Sequence, residues 1–183
     1  MKVTPLSIPD VLLIEPKIFK DERGFFFESF NQSRFSEAIQ QNIHFVQDNH
    51  AESTRGVLRG LHYQTSPMVQ AKLVRVTEGE VFDVAVDLRH TSPTFGQWAS
   101  AILSKDNQRQ LFIPEGFAHG YLTLSDKATF LYKVNQFYSS QHEASIRWDD
   151  STLDISWPQV KDILISPKDR ESLTFDKAQC YFK

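Results

Sequence analysis

The chain has 183 residues, 40% of them hydrophobic and 23% charged, the balance of one folded domain rather than of a disordered chain. A formal net charge of −3 gives no electrostatic basis for binding nucleic acid or an anionic membrane, although a few Arg and Lys can still cluster around a small anionic ligand. The single cysteine, Cys180, excludes an intrachain disulfide and a cysteine-based zinc site.

From the N-terminus, Pro9 and Asp10 arrive before a signal-peptide apolar stretch can develop, and no later apolar run is long enough for a membrane helix. A cytoplasmic location is therefore expected. Residues 11–18 and 24–30 read as strands joined by the turn-like Lys20-Asp21-Glu22-Arg23. Phe35, Ala38 and Ile39 have helical spacing and predict a short helix over 33–41. Strands are then expected over 45–49, 57–64, 71–77 and 80–88, with Glu78-Gly79 as the turn between the last two. The series continues over 98–103, 110–113, 120–124 and 129–138. Fifteen Phe residues suit sheet faces and stacking on flat ligands. The tail from Trp148, broken by Trp157-Pro158 and Ser166-Pro167, reads as loops and short helical turns. Regularly spaced short strands point to an all-β sandwich or barrel, and no domain boundary interrupts residues 1–183.

Two segments resemble the signature motifs of the cupins, a family of small jelly-roll barrels. The first motif opens on Gly, carries His-x-His, and continues to Glu and Gly. Gly56, His62 and Gly79 fit it, but Gln64 stands for the second His and Lys72 for the Glu. The second motif, Pro-x-Gly-x-x-His, is matched by Pro114, Gly116 and His119. A protonated Lys repels a dication, so these positions predict a barrel retained without its metal. An ammonium can instead stabilise negative charge on an oxygen, as a Lewis acid would.

A closer resemblance spans nearly the whole chain. Asp21 to Glu28, Phe45 to Asn49, Leu58 to His62, Lys72 to Arg75, Val81 to Asp87, Ile113 to Gly120, Phe130 to Lys133 and Lys168-Asp169 are similar to stretches of the dTDP-4-dehydrorhamnose 3,5-epimerases. These are metal-free, cofactor-free cupin-type enzymes. The resemblance implies a cupin-like jelly-roll barrel with additional N-terminal strands and a short irregular or helical C-terminal flank. It implies a homodimer with exchanged N-terminal strands, and a thymidine-diphosphate 4-keto-6-deoxyglucose as substrate. The C4 ketone acidifies the protons at C3 and C5; removing one gives an enolate, and reprotonation on the other face inverts the carbon. By the same resemblance His62 is the base, Asp169 its partner, Tyr132 the opposite-face donor and Lys72 the cation at the enolate oxygen. Arg23, Phe26, Glu28, Gln47, Asn49, Arg59, His119, Glu143 and Lys168 fall at nucleotide- or sugar-contacting positions, and Tyr138 where an aromatic stacks on thymine. The residue types suit the task. A His, with an ordinary pKa of about 6.5, is a competent base near neutrality, a carboxylate fixes its tautomer, and Arg offers a bidentate fork to a diphosphate.

Each residue also has a plainer reading. His62 alone would be a hydrogen-bonded strand residue, Tyr132 a core aromatic, and Arg23, Arg59 and Lys168 surface charges. Lys72 alternates with Val74 and Val76 and is costly to bury without a role. Asp83 serves either as a partner of Lys72 or His119 or as a structural acceptor. His44, His50, His90 and His142 read as surface residues, Asp149-Asp150 as a solvated turn, and Phe25 to Phe27 mostly as core or interface. On a regular strand Arg59 and His62 point to opposite faces, so both reach one site only if Gly60 permits a bulge. Rival functions are a relative acting at C3 alone, a metal cupin, and a non-catalytic sugar-binding module.

Overall fold

The computed structural model describes residues 1–178 and Phe182; Cys180 lies outside the described residues. The strands are β1 (Lys2–Pro5), β2 (Leu12–Glu15), β3 (Phe19–Asp21), β4 (Gly24–Phe26), β5 (Gln47–Thr54), β6 (Leu58–Gln64), β7 (Lys72–Glu78), β8 (Glu80–Asp87), β9 (Trp98–Ser104), β10 (Gln110–Ile113), β11 (Phe117–Thr123), β12 (Lys127–Val134) and β13 (Glu143–Ser145). The helices are α1 (Gln32–Ile39) and α2 (Pro167–Arg170), with a 3₁₀ turn over Phe175–Lys177. A six-stranded sheet in the order β1-β2-β10-β7-β12-β5 faces a five-stranded sheet in the order β13-β6-β11-β8-β9. Every pairing between these strands is antiparallel. This is the expected all-β jelly roll with N-terminal additions and a C-terminal flank.

Alternation along the strands builds three apolar layers. Val74, Val76, Ala85, Leu103, Leu111 and Phe130 point between the sheets. Leu73 and Phe112 point the other way, onto Phe35 and Ile39 of α1. Val84, Val86 and Ala118 cover the outer face of the five-stranded sheet and meet Ile146, Leu153 and Trp157 of the C-terminal flank. Both faces of the central strands are thus buried, and every residue of β10 and β11 is buried, polar ones included. Helix α1 begins where Asn31 accepts a bond from the Arg34 amide and ends at Gln40 in the left-handed region, φ 56°.

The structure corrects several sequence expectations. The strand expected over 45–49 runs on to Thr54, that over 120–124 begins at Phe117, and that over 24–30 ends at Phe26. Strands β1, β3 and β13 were not anticipated. Asp150 is no solvated turn residue: it is buried, and its carboxylate accepts from the amides of Thr152, Leu153 and Phe175 at 2.8–3.1 Å. Phe25 and Phe26 are not core but are 55% and 71% exposed on the β3–β4 hairpin.

The bulge at Gly60 is present. His62 lies opposite His119 and Arg59 opposite Tyr121, so Gly60 and Leu61 together face Gly120. Gly60 has φ 127°, and a Cβ there would sit 2.6 Å from the Gly120 Cα and 2.7 Å from the His119 carbonyl. One extra residue restores the parity that places Arg59 and His62 on one wall. Gly60→Ala is accordingly expected to lower unfolding stability by roughly 3 kcal/mol in urea titrations, from backbone strain plus overpacking. In the folded fraction it should also reduce activity, by displacing Arg59 relative to His62.

Candidate active site

Between the sheets opens a cavity of about 240 Å³ lined by Arg59, His62, Lys72, His119, Tyr132, Tyr138 and Glu143, among others. A wider surface groove of about 640 Å³ runs from Trp148 to Ile163, but it carries no His, Lys or Arg. The smaller cavity is therefore where acid–base groups converge.

Its two walls come from different sheets. On the five-stranded wall, β6 and β11 set His62 beside His119, with Arg59 beside Tyr121 in the next row. On the six-stranded wall, Tyr132 of β12 lies between Asn49 and Val74, and Lys72 enters from β7. His62 and Tyr132 thus approach the cavity from opposite sides.

His62 Nε2 is 2.6 Å from Asp169 Oδ1. Asp169 is buried at the start of α2, where its amide donates to the capping Ser166 hydroxyl at 3.1 Å. Burial opposes ionisation of Asp169, but the bonds from His62, Ser166 and the Gly60 backbone outweigh it and lower its pKa. An ionised Asp169 holds the proton on Nε2, which leaves Nδ1 as the proton acceptor.

Lys72 is 7% exposed, and its Nζ donates to the His62 carbonyl at 3.3 Å, which places the ammonium beside His62. Burial lowers its pKa to about 8, against the pull of Asp83 and Glu143. Asp83, fully buried, lies 3.0–3.1 Å from His119 Nε2. Asp83 is thus a partner of His119; burial raises its pKa, and His119 and Lys72 pull it back down. Burial pushes His119 down, so a neutral imidazole donates to Asp83. Burial raises the Tyr132 pKa, helped by Tyr121 and opposed by Arg59, and the phenol keeps its proton near neutrality.

At the rim, the Tyr138 hydroxyl donates to Glu143 at 2.6 Å, and Glu143 pairs with Lys168. Gln47 donates to Asn49 at 2.9 Å and accepts from the Tyr138 amide at 3.1 Å. Gln64 occupies a cupin ligand position but is fully engaged elsewhere. Its amide nitrogen donates to the carbonyls of Met68 and Phe137 at 2.6 and 3.2 Å, and its oxygen accepts from the Ser139 amide at 2.7 Å. This donor set does not fit a cupin metal: Gln64 fastens the Tyr138 loop and Lys72 is cationic.

Three expected site residues lie elsewhere in this chain. Arg23 pairs with Asp21 at 2.5 Å on the exposed hairpin that carries Phe26, and Glu28 bonds Arg34 and Asn31 at 2.9 and 3.0 Å. Conversely, the cavity residue Tyr121 and the buried Ser53 behind it escaped the sequence reading. Tyr121 lines the cavity, and Ser53 is buried against it with 3.2 Å between their hydroxyls. The available signal was strand parity: Ser53 follows Gln47, Asn49 and Ala51 on one face, and Tyr121 follows His119.

The profile of the dTDP-4-dehydrorhamnose 3,5-epimerase family matches residues 5–177. The chain belongs to this family. A dTDP-4-dehydrorhamnose 3,5-epimerase of Shigella flexneri is 58% identical over 182 residues, covering 100% of this chain and 99% of that protein. The crystal structure of the Legionella pneumophila dTDP-6-deoxy-D-glucose-3,5-epimerase in complex with dTDP-4-keto-L-rhamnose superposes with a TM-score of 0.94 at 49% identity, covering 96% of this chain and 93% of that one. A 3'-monoepimerase from Streptomyces bikiniensis in complex with dTDP-quinovose superposes at 0.88 with 35% identity, covering 94% and 87%. The match to this epimerase family agrees with the cupin-type likeness read from Gly56 to Gly79 and Pro114 to His119. Among the described residues no helix is long and apolar enough to cross a membrane.

The Lys72 environment sets a pH test. The ammonium form is the one able to stabilise an oxyanion, and it is lost as pH rises through its lowered pKa. The kcat/KM profile of the free enzyme is expected to fall on the alkaline side with an apparent pKa near the value of about 8 found for Lys72. Lys72→Met should abolish that limb and cost roughly 3 kcal/mol of transition-state stabilisation, mainly in turnover.

Proposed function

We propose that this protein converts dTDP-4-dehydro-6-deoxy-D-glucose to dTDP-4-dehydro-L-rhamnose by inverting C3 and C5. The observation that carries the proposal is the opposition of a carboxylate-backed His62 on one sheet and Tyr132 on the other, with the Lys72 ammonium beside His62. Inversion at a carbon requires removal of a proton on one face and delivery on the other. Nδ1 of His62 takes the proton from the carbon next to the ketone. Negative charge then develops on the ketone oxygen, where Lys72 meets it. Tyr132 delivers a proton from the far side. Asp169 keeps the imidazole in the accepting tautomer and stabilises the imidazolium once it forms. No step calls on a metal or an organic cofactor.

The nucleotide is assigned to the rim and the arginine wall. Tyr138 stacks on the thymine, Arg59 meets the diphosphate, and Gln47, Asn49, His119, Glu143 and Lys168 complete the polar contacts. Double epimerisation is favoured over a C3-only reaction because the 58% identical relative is a 3,5-epimerase, whereas the monoepimerase structure is 35% identical.

The deciding experiment is incubation with dTDP-4-dehydro-6-deoxy-D-glucose in deuterated water. Label at both C3 and C5 supports the proposal, and label at C3 alone supports monoepimerisation. Tyr132→Phe separates the half-reactions. The enolate still forms, but His62 can return a proton only to the face it left, so NMR should show deuterated substrate with little rhamno-configured product. Near wild-type inversion in this variant would remove Tyr132 from the donor role. His62→Ala should lose exchange at both carbons by about 10²–10⁴-fold.

We also propose a homodimer in which the β3–β4 hairpin reaches the neighbouring subunit. This accounts for Phe19, Phe25 and Phe26, all more than half exposed, and brings Arg23, Phe26 and Glu28 to the partner's nucleotide. Co-expression of Arg23→Ala and His62→Ala chains should yield mixed dimers with activity that neither variant has alone. Absence of such complementation, with mixed dimers verified by mass spectrometry, would return the hairpin to its own subunit.

A further inference from the structure

Arg59 lines the cavity from β6 as a long, exposed side chain, yet its guanidinium is held at two points. Nε donates to the Ser53 hydroxyl oxygen at 3.0 Å, and Nη2 donates to the Glu52 carbonyl at 3.1 Å. Both anchors belong to β5, on the opposite sheet. Ser53 is 4% exposed and lies 3.2 Å from the Tyr121 hydroxyl, itself 4% exposed. Tyr121 is fixed in turn: its ring stacks on Phe130 with centroids 4.1 Å apart and 14° between planes, and its strand register places it beside Arg59. The chemistry assigned to His62, Lys72 and Tyr132 uses neither hydroxyl.

We propose that Ser53 and Tyr121 are positioning residues that hold the Arg59 guanidinium in its anion-binding orientation before the nucleotide sugar arrives. The inference rests on the reading of Arg59 as a diphosphate contact. A free arginine must lose several rotatable bonds to form a fork on a diphosphate. Here that loss is already incurred in the fold, by bonds that leave the guanidinium charge intact. Ser53 has the shape for this: a hydroxyl small enough to be buried, able to accept from Nε and exchange a hydrogen bond with Tyr121. Alanine removes the acceptor, whereas threonine keeps it.

The diphosphate is chemically unchanged during epimerisation, so its contacts bind ground state and transition state alike. Loosening Arg59 should then raise KM more than it lowers kcat. The test is calorimetric titration with dTDP, supported by steady-state kinetics. Ser53→Ala should weaken dTDP binding about tenfold, Tyr121→Phe by a smaller factor, and Ser53→Thr should restore most of the loss. In an Arg59→Ala background, Ser53→Ala should have no further effect, because it acts only through the guanidinium. An undiminished effect in that background, or wild-type dTDP affinity in Ser53→Ala, overturns the positioning role alone. Unchanged dTDP affinity in Arg59→Ala itself removes the diphosphate contact, and the proposal falls with it. Circular dichroism and unfolding curves on each variant separate these outcomes from loss of fold.

Discussion

Side chains on a strand alternate, and a site built on strands inherits that constraint. Arg59 and His62 are an odd number of residues apart, so a regular β6 would send one into the cavity and the other into the apolar layer beneath the C-terminal flank. The extra residue at Gly60 removes the conflict. It is tolerated because Gly60 and the facing Gly120 leave room where any side chain would strike backbone. The same region then supports much of the chemistry: the Gly60 backbone contributes to the hydrogen bonding that keeps Asp169 ionised, and Asp169 in turn sets the tautomer of His62. Backbone geometry and the placing of Arg59 and His62 are thus tied together within four consecutive residues.

Charge is arranged with similar economy. Lys72 is buried deeply enough that its pKa falls, yet Asp83 and Glu143 oppose that fall. The outcome is a cation close to the point of losing its proton, in surroundings where its field is little screened. Asp83 also bonds His119, so one fully buried acidic group faces both the Lys72 ammonium and the His119 imidazole. This cluster stands at the positions that match the cupin ligand motif, where Gln64 has a mechanical duty in the loop that carries Tyr138.

Much of this was legible in the sequence, for identifiable reasons. Apolar alternation gave the central strands, Gly79 the turn between β7 and β8, and Phe35 with Ile39 the buried face of α1. The short strands β1, β3 and β13 were missed because three or four residues carry too little periodicity. The burial of Asp150 depends on amide donors as far away as Phe175, which no local pattern reveals. Ser53 and Tyr121 were missed because the strands holding them were read too short, so they were never placed on the face of Asn49 and His119. Arg23, Phe26 and Glu28 were recognised by family likeness, but one chain alone does not bring them to the cavity.

His62 and Asp169 are 107 residues apart in the chain. The helix that presents Asp169 packs back on β6, and the parallel bridges Val57–Leu164 and Ile146–Leu173 fasten the flank on either side of it. In chain order all the barrel strands, through β13 at Ser145, precede this flank. The strands alone carry Arg59, His62 and Tyr132 but not the carboxylate that bonds His62. The His62–Asp169 pair therefore exists only where the flank is docked on β6, so that this one contact joins the completed fold to the cavity.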